Sequence, residues 1–170
     1  MSDFNDYLEA KQNDMLQGLN TCAICRIEKI DYDEMKADVT PLFDEGLTLI
    51  LNCPLGFHQN DKFLFRIPYE VGDLVVVVFS QRDIDNIYFD GGDQAVRTHG
   101  LEDAIIIGGV QKFTNPIAKE HVKDVVISDK QFKNKFIIKD TGEIFVESEE
   151  NINILSQKDV IIKGQKIWLN

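Results

Sequence analysis

The last 35 residues of the chain, "FIIKDTGEIFVESEENINILSQKDVIIKGQKIWLN", repeat with a period of eight. Apolar pairs stand at Phe136/Ile138, Ile144/Val146, Ile152/Ile154 and Val160/Ile162, and Trp168 falls on the next beat. Residues i and i+2 of a strand share a face, so each pair marks one short inward face. Turn-formers separate the pairs: "DTG" at 140–142, "SEEN" at 148–151, "SQKD" at 156–159 and "KGQK" at 163–166. Each octad therefore reads as a brief strand followed by a turn. One chain of such units cannot enclose a core, because repeat units bury their apolar face only against neighbours. Three copies wound round one axis can, each forming one side of a slender prism without free sheet edges. The predicted trimer core is Phe136, Ile138, Ile144, Val146, Ile152, Ile154, Val160, Ile162 and Trp168. The middle residues Ile137, Phe145, Ile161 and Leu169 are apolar too, while Asn153 is not. They are either outward residues shared between chains or the second face of an ordinary sheet.

Composition narrows the partners. The chain has 170 residues, 44% of them hydrophobic and 28% charged, which is a globular composition. Its longest clearly apolar stretch, "LVVVVF" at 74–79, is far short of the roughly 20 residues a membrane span needs. The acidic start "MSDFNDYLEAK" lacks the layout of a secretory signal, so the chain is expected to be made soluble in a cytoplasm. Residues 131–170 hold six lysines and six acids, so the net charge of −11 lies wholly in residues 1–130. Such a surface repels phosphate backbones, and no nucleic-acid partner is expected. Cys22, Cys25 and Cys53 are an odd count, which argues against a disulfide framework. "CAIC" sits in a strand-like run, where residues three apart face opposite ways, and it reads as ordinary thiols. No second ligand pair completes a zinc site.

Residues 1–20 read as a helical arm, with Phe4, Leu8, Met15 and Leu19 at helix-like spacing interrupted by polar Lys11 and Gln12. The arm either packs on its own domain or docks on a neighbouring subunit. From Thr21 the pattern turns to short strands divided by Asp/Gly turns: "TCAICRIEKI", "MKADVTPLF", "LTLILNCPLG", "LVVVVFSQ" and "DAIIIGGV". Pro54 and Gly56 end the third. The unbroken "LVVVVF" suggests burial on both faces. "FHQNDK" reads as a polar loop, and "YFDGGDQAVRTHG" as a loop bent at Gly91-Gly92. Five or six short strands over residues 21–115 suggest a small OB-type β-barrel. Residues 116–130 read as a connector, and 131–170 as the octad prism. The expected fold is mainly β: an N-terminal helix, an OB-type barrel, then an intertwined triple-stranded β-helix.

Two segments carry a resemblance. "VGDLVVVVFSQRDIDNIYFDGG" (71–92) and "RTHGLEDAIIIGGV" (97–110), followed by the octads, resemble the central spike proteins of contractile phage tails and related contractile injection particles. The resemblance spans roughly residues 20–170. It implies a homotrimer in the virion or particle baseplate at the tail tip, assembled in the host cytoplasm. The barrels would plug onto a baseplate hub protein, and the needle would pierce the host envelope when the sheath contracts. Several members of that family end in an H-x-H tip that holds iron. This chain ends "KIWLN", and its histidines are His58, His99 and His121, so no tip metal is expected. Either Trp168 and Leu169 close the prism or a separate tip protein caps it.

Enzyme chemistry finds no foothold in the sequence. It shows no nucleophile motif, phosphate-binding glycine loop or metal cluster, so no catalytic residue, cofactor or metal is expected. Asp83/Asp85 and Glu102/Asp103 read as solvated turn acids, and His99 as a hydrogen-bonded loop residue. Asp83 with Arg82 or Arg97 is a candidate ion pair, within or across subunits. The alternative to a spike is a trimeric glycan-binding module of tail-fibre or adhesin type, which would need aromatic residues on an exposed barrel face.

Overall fold

A computed structural model of the chain describes residues 2–42, 48–88, 91, 97–117 and 119–168. The chain divides into two compact units, residues 1–112 and 113–170. The first opens with helix α1 (Ser2–Gln17). It continues as β1 (Cys22–Asp31), β2 (Lys36–Pro41), β3 (Ile50–Pro54), β4 (His58–Gln59), β5 (Leu64–Phe65) and β6 (Leu74–Phe79). The short helix α2 (Asp85–Tyr88), a 3₁₀ turn (Leu101–Asp103) and β7 (Ala104–Gly109) complete it.

Five of these strands make one antiparallel sheet in the order β3-β2-β1-β6-β7. β1 is its spine, pairing with β2 on one side and β6 on the other. Alternation decides its faces: Ala23, Cys25 and Ile27 point inward while Cys22, Ile24 and Arg26 do not. Register shifts interrupt the β1–β2, β2–β3 and β6–β7 ladders, and such bulges bend a sheet. The sheet curls until its edge strands meet in a parallel bridge between Leu55 and Ile106. The result is a half-barrel filled by Ile27, Val39, Ile50, Val75, Val77 and Ile106.

The turns follow the sequence closely. Asp31 accepts hydrogen bonds from the amides of Asp33 and Glu34 and so makes the "DYDE" turn. Gly72 takes φ +95°, which an L side chain rarely adopts, and its amide donates to the Ile27 carbonyl at 2.8 Å. The expectation for "LVVVVF" needs correction. Val75 and Val77 are fully buried, but the alternate residues are only half-buried, because the outer face of a single curled sheet has no second layer over it. The turn at "DEG" and the bend at Gly92 lie outside the described residues.

The second unit is a three-stranded antiparallel sheet in the order β10-β9-β8, from β8 (Val125–Ser128), β9 (Lys135–Ile138) and β10 (Ile144–Glu147). β8 lies in the stretch that reads as a connector. Residues 148–168 form no strand within the single chain, so the first two octads alone are strands here. A lone strand leaves its amides and carbonyls without a ladder, and the later octads pair with no strand among the described residues.

Closure of the half-barrel depends on one small residue. The Gly56 amide donates to the Ile106 carbonyl at 2.7 Å, and a Cβ on Gly56 would stand 2.7 Å from that same oxygen. Gly56→Ala must push the seam apart. It should cost about 1–3 kcal/mol, seen as a lower midpoint in denaturant. An unchanged midpoint would show that the seam contributes nothing.

Candidate functional site: an exposed apolar sheet face

In an antiparallel pair, residues directly opposite one another share a face. The registers place Ile144 against Ile138 and Val146 against Phe136, and on the other side of β9 they place Val125 against Ile138 and Ile127 against Phe136. These six side chains therefore form one apolar face three strands wide. All six are exposed in the single chain, from 36% for Phe136 to 63% for Ile144. The opposite face carries Val126, Ile137 and Phe145, with Ile137 buried and the Lys139 ammonium 4.1 Å from the Phe145 ring centre. In an isolated protomer, then, the middle residue Ile137 is covered and the beat residues are not.

Of the nine beat residues, the structure brings four together on this face: Phe136, Ile138, Ile144 and Val146. Ile152, Ile154, Val160, Ile162 and Trp168 follow along the chain, each exposed and outside any sheet. Lys166 lies over the Trp168 ring at 4.0 Å. Leu169 lies outside the described residues. Val125 and Ile127 belong to the face but precede the repeat; the apolar i, i+2 spacing within "VVIS" is the signal that marks them.

The turns between octads share a chemistry as well as a spacing. Gly142, at φ +88°, closes the first through its amide to the Lys139 carbonyl at 2.9 Å. Eight residues after Asp140, Ser148 accepts from the Glu150 amide at 3.0 Å; eight further on, Ser156 accepts from the Lys158 amide at 3.1 Å. The same Ser-to-amide bend thus recurs eight residues apart at 148 and 156.

Further polar groups shape the ends of this unit. The Asp124 carboxylate meets His121 Nδ1 at 2.8 Å and accepts from the Asp140 amide at 3.0 Å; these contacts hold it below the ordinary carboxylate range. Asp129 accepts from the amides of Gln131, Lys133 and Asn134, and the Asn134 contact is the first cause of its lowered pKa.

The half-barrel contains one dense ionic cluster. Arg97 Nε and Nη2 each donate to Asp103 at 2.8 Å, and Nη2 also reaches Asp83 at 3.1 Å and Asp85 at 3.2 Å. Asp103 is fully buried and accepts the Ile84 amide at 3.1 Å. The reading of Asp103 and Asp83 as solvated turn acids is therefore wrong. Asp103 is the buried last residue of the 3₁₀ turn, and only 5% of the Asp83 side chain is exposed. Asp83 pairs with Arg97 within the chain. Gly100 makes room for this, since a Cβ there would meet Arg97 Cδ and Asp103 Oδ2 at 2.8 Å. The bidentate Arg97 hydrogen bonds hold the Asp103 carboxyl below its usual range and raise the Arg97 pKa in turn. His99 Nδ1 hydrogen-bonds the Asn20 carbonyl at 3.0 Å, and Asn20 Nδ2 donates to the His99 carbonyl at 2.8 Å.

Cys22 is exposed, whereas Cys25 and Cys53 lie in the core, so the two cysteines of "CAIC" do face opposite ways. Burial pushes the thiols of Cys25 and Cys53 up to about 11 and about 12.

The family described as Phage protein Gp138 N-terminal domain matches residues 24–109, half of the chain. The chain belongs to this family. Comparison with curated proteins returns no match. The Gp138 N-terminal domain thus runs from the third residue of β1 to the last of β7 and takes in the whole half-barrel with its Arg97 cluster. Membership makes this a phage protein and points to a structural, virion-associated role. The apolar sheet face and the octads lie C-terminal to the matched span.

The cluster makes barrel stability depend on pH. A carboxyl held low in the folded state contributes stability above its unfolded pKa of about 4 and loses it as pH falls through the folded value. Asp103→Asn should melt below the parent at pH 7, and the gap should narrow once pH drops below about 4. A gap that stays constant down to pH 2 would mean that the Asp103 charge contributes nothing.

Proposed function

We propose that this phage protein is the central spike of a contractile tail: a homotrimer whose C-terminal needle pierces the host envelope when the sheath contracts. The observation that carries this reading is the uncovered face of Val125, Ile127, Phe136, Ile138, Ile144 and Val146, continued at eight-residue spacing by Ile152/Ile154 and Val160/Ile162. Contiguous exposed apolar surface of this kind marks an interface. Identical short faces on a regular beat suit identical partners around an axis. Packed against two further copies, the face becomes the interior of a narrow prism, and the later octads gain neighbours for their backbone groups.

The half-barrel, with strand order β3-β2-β1-β6-β7 and its parallel contact between β3 and β7, supports an OB-type assignment for the end that seats on the baseplate hub. Trp168 and Leu169, or a separate tip protein, close the far end. The work is mechanical. Stiffness and shape deliver it, without bond-breaking chemistry, cofactor or metal.

Ile154→Asp would set three carboxylates at one level of the axis, where burial without partners is prohibitive. Sedimentation should show the trimer lost, while the circular dichroism of the barrel strands survives. Particles assembled with this variant should lack density at the tail tip and fail to kill. Variant trimers that sediment and melt like the parent would overturn the inward placement of Ile154.

A further inference from the structure

The half-barrel presents a second uncovered apolar surface. Hairpin β4–β5 carries Phe63 at 74% exposure, with Leu64 and Phe65 also exposed. Two hollows flank it. One, of about 540 Å³, is lined by Phe57, His58, Phe63 and Leu64. The other, of about 330 Å³, runs between Phe65, Ile67, Tyr69 and Ile107 on β7. Phe57, His58 and Phe65 line both, so the hollows adjoin.

Helix α1 is uncovered as well. Every side chain from Phe4 to Met15 is exposed. At about 100° per residue, Phe4, Tyr7, Leu8 and Met15 of α1 fall within a sector of about 100°, a stripe that Lys11 shares. An isolated helix of 16 residues is barely stable in water, so its order depends on something packing against that stripe. Charge matches the two surfaces. Residues 2–19 hold four acids (Asp3, Asp6, Glu9, Asp14) against Lys11, a net −3. Residues 57–67 hold Lys62 and Arg66 against Asp61, a net +1 in a chain of −11. Neither Lys62 nor Arg66 is in an ion pair among the described residues.

The root of the helix is fixed away from its own hollow. The reciprocal Asn20–His99 hydrogen bonds and the Phe79 amide to the Thr21 carbonyl hold the start of β1 at the Val78 end of β6. The second hollow opens beside Gly108 and Gly109, which pair with Val76 and Val75 toward the other end of that strand. We propose that the hollows flanking hairpin β4–β5 receive helix α1 of another copy of this chain, an inference that rests on the trimeric reading. Two different surfaces that meet head to tail close into a ring when the assembly is cyclic. Three arms would then strap three barrels together, each stripe over the phenylalanines of the next and its acids near Lys62 and Arg66.

Cross-linking of the full chain tests this. In a Cys22→Ser background, Leu8→Cys and Ile67→Cys are combined in one chain and treated with a short bis-maleimide. Sedimentation of the same preparation gives the oligomeric state. The expected result is a covalent trimer on a denaturing gel, lost on adding Phe63→Asp while the sedimenting species stays trimeric. A trimer that yields only internally linked single chains means the arm covers its own hairpin, and a trimer that yields no link means it covers neither; both overturn the docking alone. Links that persist with Phe63→Asp overturn the apolar basis of the contact. A monomer in solution overturns the trimeric reading and the strap with it.

Discussion

An apolar pair every eight residues requires neighbours that its own chain does not provide. Two inward side chains per strand cannot shield one another, and each following turn carries the chain away before a second layer can form. The single protomer displays this directly. Its three-stranded sheet covers Ile137 on one face and leaves six apolar side chains open on the other. Beyond Glu147 the octads keep their Ser-closed bends at 148 and 156 but not their strands. What persists without partners is local hydrogen bonding in the turns. What the single protomer lacks is a ladder beyond Glu147 and a cover over the apolar face.

The half-barrel solves the opposite problem. Its core closes within one chain through β1 at the centre, bulges that curl the sheet, and a Gly56 seam where β3 meets β7. Its loops are tied down by the buried Asp103 carboxylate, which gathers Arg97 and the Ile84 amide into one site. A buried carboxylate is tolerable because both its oxygens find donors, and removing the cation would leave the charge uncompensated. The half-barrel closes within one chain, whereas the octad segment leaves its apolar face open in a single protomer.

Features written in short-range chemistry were legible in the sequence. The strand at "TCAICRIEKI", the turns at Asp31, Gly72 and Gly142, and the opposed cysteines all follow from a few adjacent residues. The octad beat was legible because it repeats. Asp103 was not, since its partners stand 6 and 19 residues away across loops with no period. Hairpin β4–β5 escaped notice because two-residue strands are too short to alternate, and "FHQNDK" reads as a plain polar loop. Val125 and Ile127 were hidden for a different reason. They join the apolar face through antiparallel pairing with β9 and not through the eight-residue spacing that marks the rest.

The most direct test of the three-chain prism is the solution mass of the unmodified chain, by light scattering on a sizing column with its hydrodynamic radius. A prism predicts three times 19.4 kDa and the slow diffusion of an elongated particle. A compact species of 19.4 kDa would contradict it and leave the apolar face to some other partner.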